Sequence, residues 1–431
     1  MPIIIPANSA AGGGGYEVTN SARFNPASND RLTRTPSSDG SRVKWTWSCW
    51  AKRGTDNQDL YLFGAYQNSS YNTFLKFASG GEIRFADVYG GSEQARINTL
   101  AKFRDPSAWY HIVVVYDKDN STSTDRLIMY VNGVRITQFD GSTMSSQSTT
   151  FNTANIQVQI GALNGDGDMN GYMSEICFVN NQALAPTSFG EFDEDSGIWK
   201  PIESVADLTF GTNGFYMDFK DSSELGNDAA GSNNYAEVNM TALNQTTDTC
   251  TNNFATLNPI DNGYGSITFT EGNLKGDGAS SGWQPARGTI GLSSGKWYWE
   301  VNMSGSGQIG VSNTILDMDN DNSQDLAGVT VFYNAGGGYI RTDGSQVGGT
   351  VGTGDMNTVF GYALDMDNKK LSLYKTNSII VTNTALSTSI TDFALPFFCV
   401  NGGGQYRVNF GNPSTALDNA GVADGNGYGS F

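Results

Sequence analysis

From Tyr16 to Phe219, short stretches of alternating apolar and polar residues are separated by Gly, Asn, Asp and Ser clusters. TWSCWAK, LYLFGAY, FLKFA, WYHIVVVYD, RLIMYVNGVRIT, NIQVQIGA and GYMSEICFVNN are rich in aromatic and β-branched residues. This is the signature of strands closed by turns. In RLIMYVNGVRIT, Leu127, Met129 and Val131 share a face, and Asn132-Gly133 supplies a tight hairpin turn. Residues 220–262 lose the rhythm and are polar and Asn-rich, which predicts an irregular connector or a loop laid over a domain. A second strand series opens at Gly263 with SITFTEG, KWYWEVNM, QIGVSN, VTVFYN, VFGYALDMDNKKLSLYKTN, LPFFCVNG and QYRVNFG. No helical period is sustained. The pattern predicts an all-β protein: two antiparallel β-sandwich (jelly-roll) domains in series with an irregular connector.

Alternation also sorts the tryptophans. In KWTWSCW, Trp45, Trp47 and Cys49 share one face and Thr46, Ser48 and Trp50 the other. In KWYWEVNM, Trp297, Trp299 and Val301 oppose Tyr298, Glu300 and Asn302. Trp45, Trp47, Trp297 and Trp299 are expected in the core, and Trp50 and Tyr298 part-exposed.

Composition narrows the function. The 431 residues suit two or three domains at ~100–200 residues each. Acidic residues exceed basic ones by 43 − 25 = 18, a field that repels nucleic acid and anionic membrane. No apolar run approaches the ~20 residues of a membrane helix. The opening MPIIIPANSAAGGGG has no basic stretch before its apolar patch, so it is not read as a secretory signal; folding in a cytosol is expected. Cys49, Cys177, Cys250 and Cys399 lack metal or redox spacing and read as buried thiols. Cys49–Cys177 is the one bridge worth testing.

Enzymatic chemistry has little to work with. His111 is the single histidine and lies within a strand pattern. Glu191, Asp193 and Asp195 in GEFDED would share a face if extended, as paired glycosidase carboxylates do, but a solvated loop fits the context better. Two acidic stretches could hold calcium through hard oxygen ligands. One is Asn164, Asp166, Asp168 and Asn170 in NGDGDMNG; the other is Asp317, Asp319, Asp321 and Asp325 in DMDNDNSQD. The alternative for both is a solvated acidic turn. The second departs from an EF-hand, with Asn322 at the glycine position and Gly328 at the bidentate Glu position. Tyr66, Tyr71, Tyr89 and Tyr339, each beside Gly, Ser or Asn, are candidate exposed rings for contacts to sugar or protein.

Residues 16–219 resemble laminin-G-like, concanavalin A-like lectin domains through SARFNPASNDRLTRTP, WTWSCWAKRG, AWYHIVVVYD, RLIMYVNGVRI and GYMSEICFVNNQALAPTSFGEF. Residues 263–413 resemble a SPRY domain through GKWYWEVNMSGSGQIGVSN, FGYALDMDNKKLSLYKTN and LPFFCVNGGGQYRVNFGNP. With GFYMDFKDSSELGNDAAGSNNY and QTTDTCTNNFATLNP between them, the order is similar to virion structural proteins of tailed, marine-type bacteriophages. The resemblance implies a tail or head fibre or attachment protein binding host-surface glycan or protein. Its alternatives are a decoration or connector protein without host contact and, remotely, a glycan hydrolase. It also implies a virion location after assembly in the host bacterial cytoplasm, and raises the expectation of calcium near the first domain's loop tips. Residues 1–15, with their Ile3–Ile5 patch, are expected to dock other virion proteins or further copies of the chain. Residues 414–431 read as a Gly-rich tail.

Overall fold

The computed structural model describes residues 15–144, 148–165, 169–263, 267–279, 281–320, 323–333, 338–348, 358–376 and 378–415. The docking segment expected over 1–15, apart from Gly15, and the tail beyond Thr415 lie outside them. The protein is all-β, with helix confined to short 3-10 turns, the longest being Glu203–Asp207. Two compact units meet between Asn253 and Phe254.

The first unit is a sandwich of two antiparallel sheets. One runs Val134–Arg135, Leu127–Val131, Tyr110–Asp117, Lys44–Arg53, Gly171–Asn180, Ser21–Phe24 and Gln245–Thr246, with Phe215–Met217 added on Gly171–Asn180. The other runs Phe139–Met144, Ser92–Thr99, Ile83–Tyr89, Tyr71–Phe77, Leu60–Asn68, Val158–Ile160, Arg31–Arg34 and Ala236–Val238. Their inner faces interdigitate around Trp45, Trp47, Phe63, Phe85, Phe151 and Phe178. Trp45 stacks on Tyr116 at 5.5 Å and meets Phe151 edge-on at 5.4 Å. Rings of this size bury about 150–250 Å² each, worth several kcal/mol at ~25 cal/mol per Å².

The other face of the first sheet is covered too, which corrects the expectation for Trp50. The chain between Leu184 and Tyr216 folds back over it, packing Phe189, Val205, Phe210 and Tyr216 on Val113, Val115, Cys177 and Val179. Trp50 is 4% exposed and clusters with Trp109, Tyr172 and Trp199. Alternation placed its face correctly but carries no information about a second layer. The same geometry disposes of a Cys49–Cys177 bridge. Cys49 belongs to the sandwich core and Cys177 to the covering layer, so the sheet lies between them; all four cysteines are free thiols.

Of the two readings of the segment from 220, connector or chain laid over a domain, residues 220–253 follow the second and belong to the first unit. Ala236–Val238 pairs with Arg31–Arg34 in one sheet, and Gln245–Thr246 pairs with Ser21–Phe24 in the other. The segment clips both sheets, and polar side chains do the clipping, which is why apolar periodicity missed it. Asn244 donates to the Arg23 carbonyl (2.9 Å) and Asp30 (2.6 Å). Lys52 points from its strand at Asp248, 2.9 Å away, each side chain 1% exposed. Lys52 Nζ also donates to Asn253 Oδ1 (2.8 Å), and the Trp109 indole donates to Asp248 (3.1 Å).

Glu175 sits with φ +50° where the register between Gly171–Asn180 and Lys44–Arg53 shifts, a β-bulge. Tyr216 donates to its carboxylate at 2.6 Å. Burial, more than any other cause, pushes the Glu175 pKa up to about 7.

In the second unit two long strands, Lys296–Ser312 and Leu395–Asn409, pair along most of their length. The register shifts between Ser304 and Ser306. There Gly305 (φ +84°) lies so close to Gly404 that a Cβ would stand 2.8 Å from its Cα. One half of Lys296–Ser312 pairs with Val359–Asp365 and the other with Val329–Tyr333. Trp299, stacked on Tyr362 at 5.6 Å, is core as expected. Trp297 is not. It shares Trp299's face but lies at the strand's start, beyond the core's edge, 43% exposed with its indole N–H on the Ser294 carbonyl.

Two predictions follow from the packing. Removing one member of a buried ion pair strands the other, so Asp248→Ala should cost about 3–5 kcal/mol in denaturant unfolding. A loss near the ~1 kcal/mol of a surface pair would contradict the structure. The second concerns His111, which is 1% exposed and whose pKa burial lowers to about 3. Between pH 6.5 and 3 the unfolded chain binds a proton there that the folded chain does not. Its contribution is therefore full above pH 6.5 and lost as pH falls, by roughly 1.4 kcal/mol per unit. Glu175 acts in the opposite sense, its contribution being lost as pH rises from 4.5 through 7. Comparing the parent with His111→Gln isolates the histidine: the parent's stability advantage should shrink steadily from pH 7 to 4. A constant difference would mean His111 is not held neutral.

Candidate functional site

The one serine–histidine contact is not a nucleophile. His111 Nε2 lies 2.9 Å from Ser48 Oγ, while Nδ1 accepts the Trp199 indole N–H at 2.9 Å. Nδ1 therefore bears no proton. The neutral ring carries its proton on Nε2 and donates it to Ser48. A general base facing a serine needs a lone pair there. The ring is sealed between Trp50 at 4.8 Å and Trp199 at 5.8 Å, where it fills the covering layer.

The GEFDED carboxylates are committed to a hairpin formed by Gly190–Phe192 and Trp199–Pro201. Asp193 accepts from the Asp195 and Ser196 amides, and chiefly the Ser196 contacts hold its pKa down at about 2. Lys200 ion-pairs with Asp193 (3.2 Å) and Glu191 (3.4 Å). Glu191 and Asp193 are near the surface and already paired with Lys200, without the burial that raises a catalytic acid.

Of the acidic loops, Asp166, Asp168 and Asp321 lie outside the described residues. Asn164 is exposed with φ +53°. Asn170 is 5% exposed, and its Oδ1 has no hydrogen-bond partner among the described residues. A buried neutral oxygen of this kind fits a hard cation's donor set. In the second unit Asp317 and Asp319 are exposed, and Asp317 accepts the Asp319 amide at 3.1 Å. Asp325 ion-pairs with Arg341 at 2.6 Å instead. Among the described residues, no three His, Cys, Asp or Glu side chains are grouped to hold a metal.

What remains is the outer face of the second sheet. Its registers align three rows of side chains. The middle row runs Arg96, Ala86, Phe74, Gly64, Gln159 and Thr33. One flanking row runs Asn98, Arg84, Lys76 and Tyr61, and the other Glu93, Val88, Asn72 and Tyr66. Phe74, Ala86 and Leu163 form a small apolar floor, with Tyr61 and Tyr66 half-buried at its margin. Gly64 is required there, because a Cβ would stand 2.7 Å from Leu163 Cδ1. Tyr61 meets Phe74 edge-on at 5.6 Å, and Lys76 Nζ lies over both rings at 5.1 and 5.3 Å. Lys76 pairs with Asp59, and Arg84 and Arg96 share Glu93.

Three polar atoms of this face are buried without a partner among the described residues: Gln159 Oε1, Arg84 Nε and Arg96 Nε. Buried polar groups are normally satisfied, so these atoms mark unmet hydrogen-bonding capacity beneath this face. The arrangement can stack apolar faces and hydrogen-bond hydroxyls; the Glu93 carboxylate in its rows is paired with Arg84 and Arg96. Tyr61 and Gln159 were missed in the sequence because their strands read only as core, and Arg84 and Arg96 because Ile83–Tyr89 and Ser92–Thr99 were not read as strands at all. The alternate polar positions were the available signal.

The four tyrosines do not form one site. Tyr66 belongs to this face. Tyr71 and Tyr89 point to the other side at the hairpin ends, packed edge-on at 5.1 Å with Tyr89 44% exposed. Tyr339 belongs to the second unit, opposite Tyr333.

Residues 26–187 match the family model described as the concanavalin A-like lectin/glucanases superfamily. No curated protein matches the chain. Among solved structures, the TRIM65 PSpry domain aligns at 15% identity and TM-score 0.30, covering 36% of this chain and 91% of that one. The SPRY domain of human HERC1 aligns at 14% identity and TM-score 0.28, covering 32% and 88%. A heptameric SAP-like pentraxin from Limulus polyphemus aligns at 18% identity and TM-score 0.30, covering 40% and 80%. The first unit thus contains a concanavalin A-like lectin-type domain, a scaffold compatible with carbohydrate or protein binding.

Proposed function

We propose that this chain is a non-enzymatic virion protein of a tailed bacteriophage, a fibre or attachment protein that binds host-surface glycan or protein. The observation that carries the binding role is the outer face of the second sheet. There the half-buried Tyr61 and Tyr66 rings flank the apolar floor of Phe74, Ala86 and Leu163, and the rows of the same face carry Gln159, Arg84 and Arg96. The virion role is supported by the order of sequence segments along the chain. The non-enzymatic reading is supported by the Ser48–His111 tautomer and the paired state of Glu191 and Asp193. Each site is shallow, and many copies on a particle would convert weak contacts into firm attachment.

Multimerised protein should bind host cells and compete with infection. Tyr61→Ala with Tyr66→Ala should weaken binding at least tenfold, the equivalent of about 1.4 kcal/mol, when assayed well below the unfolding midpoint of the variant. Binding to no host surface, with particles that fail to assemble without the protein, would favour a decoration or connector role. Depolymerisation of a host polysaccharide would refute the non-enzymatic reading.

Calcium is the proposed cofactor, held by the 164–170 loop through Asn170 and, in sequence, Asp166 and Asp168. Ligand linkage then requires calcium to raise the melting temperature and chelator to lower it. Asp166→Asn with Asp168→Asn should erase that difference; a parent protein indifferent to calcium would end the proposal.

A further inference from the structure

Lys52, Asp248 and Asn253 make a cluster with more chemistry than an ion pair needs. The Lys52 and Asp248 side chains are each 1% exposed. Lys52 Nζ lies 2.9 Å from Asp248 Oδ2 and 2.8 Å from the Asn253 side-chain oxygen. The Asn253 amide is fixed in orientation, because its Nδ2 donates to the Ser107 carbonyl at 2.7 Å. Asp248 is fixed as well: Trp109 donates to its Oδ1 at 3.1 Å, and its amide bonds Thr246 Oγ1 at 3.1 Å. The Tyr172 ring lies 5.4 Å from Nζ and, with Trp109, walls the site with apolar surface. A buried amine and carboxylate are thus held against a carboxamide at the surface by groups that allow little rearrangement.

We propose that Lys52 and Asn253 condense into an intramolecular isopeptide bond, with Asp248 as the proton carrier. Asp248 takes a proton from the Lys52 ammonium. The freed Nζ lone pair attacks Cγ of Asn253, and the C=O electrons move onto Oδ1. Asp248 delivers its proton to Nδ2 and takes the surplus proton from Nζ. As the carbonyl re-forms, the Cγ–Nδ2 bond breaks and ammonia departs. Asp248 passes that last proton to solvent or to the departing ammonia. One C–N bond forms, one breaks, and no oxidant or co-reactant is consumed. Fixed proximity supplies what a bimolecular aminolysis lacks, because well-oriented intramolecular groups reach effective concentrations on the order of 10⁵ M or more. Asn253 itself is exposed, which leaves the ammonia a way out. The link would join the Lys44–Arg53 strand to the last residue of the first unit. This inference is independent of what the unit binds.

The test is the intact mass of the purified full chain under denaturing conditions, alongside Asn253→Ala. That variant changes an exposed residue and should fold. The parent is expected lighter than its sequence by one ammonia and the variant to match its own sequence. Trypsin should fail to cut after Lys52 in the parent, giving one branched peptide that contains both Lys52 and Asn253. Asp248→Asn, if folded, should carry full mass. Where it does not fold, the parent's branched peptide and its absence from Asn253→Ala carry the test. A folded parent that keeps its full sequence mass after prolonged incubation would overturn the proposal and leave a plain ion pair. A parent lighter by one water, with the branch at Asp248, would overturn the assignment of Asn253 as the acyl donor.

Discussion

A lysine ammonium sealed into the side of a β-sheet must have an anion beside it, and in the first unit that anion comes from almost two hundred residues away, a span given by Lys52 and Asp248. The requirement reaches far beyond the pair. For Asp248 to meet Lys52, the chain after Phe219 must return across the sandwich, and in returning it adds a strand to each sheet. Ser21 completes the closure by donating to the Asp248 carbonyl at 2.6 Å. Replacing the pair by hydrocarbon could fill the same space. It would not specify which segment of a polar, glycine-rich stretch must dock there, whereas an unpaired buried charge penalises every other register.

How much of this was legible in the sequence depends on the kind of interaction that fixes each element. The apolar-rich strands were, because a two-residue period with Trp45 and Trp47 on one side has few other readings, but the more polar Ile83–Tyr89, Ser92–Thr99 and Phe139–Met144 were not. Whole layers were not. Trp50 and Trp297 each lie on the face alternation gave them, yet one is buried under a covering segment and the other lies past the end of its core. A strand's own pattern reports which side a residue takes; what lies on that side is decided by distant chain. The 220–253 segment was missed for a related reason. Asn244, Asp248 and Asn253 dock it through hydrogen bonds, and polar docking residues look like loop residues until their partners are known.

The candidate site was half legible. Tyr66 stood out because it lies next to a turn, while Tyr61, which shares its face, was hidden inside a strand that reads as core. Covering one sheet and leaving the other open divides the labour of the sandwich. The covering layer uses up the groups that could have done chemistry: His111 between two tryptophans, Ser48 as its acceptor, Glu175 under Tyr216. The open sheet retains polar groups without titratable acids at its centre. On this scaffold burial goes into rigidity, and the proposed recognition rests on side chains that need only hold still.

The charges on the open face follow the same logic. Lys76, Arg84 and Arg96 gather on a protein of net charge −18, which would suggest an attractor for anions. Each, however, already has a carboxylate partner in Asp59 or Glu93. Paired in this way they contribute little long-range field, and what field they have is screened within ~8–10 Å at physiological salt. Their effect is local and directional. Lys76 is pinned over two rings, and the Glu93 carboxylate holds the guanidinium heads of Arg84 and Arg96 so that their Nε donors keep a fixed place. On the proposed binding role, a ligand would meet side chains already held in place and need not order them itself. Preorganisation of that kind lowers the entropy cost of binding without adding bulk attraction. Such a face can favour one arrangement of hydroxyls over another while holding each single copy weakly.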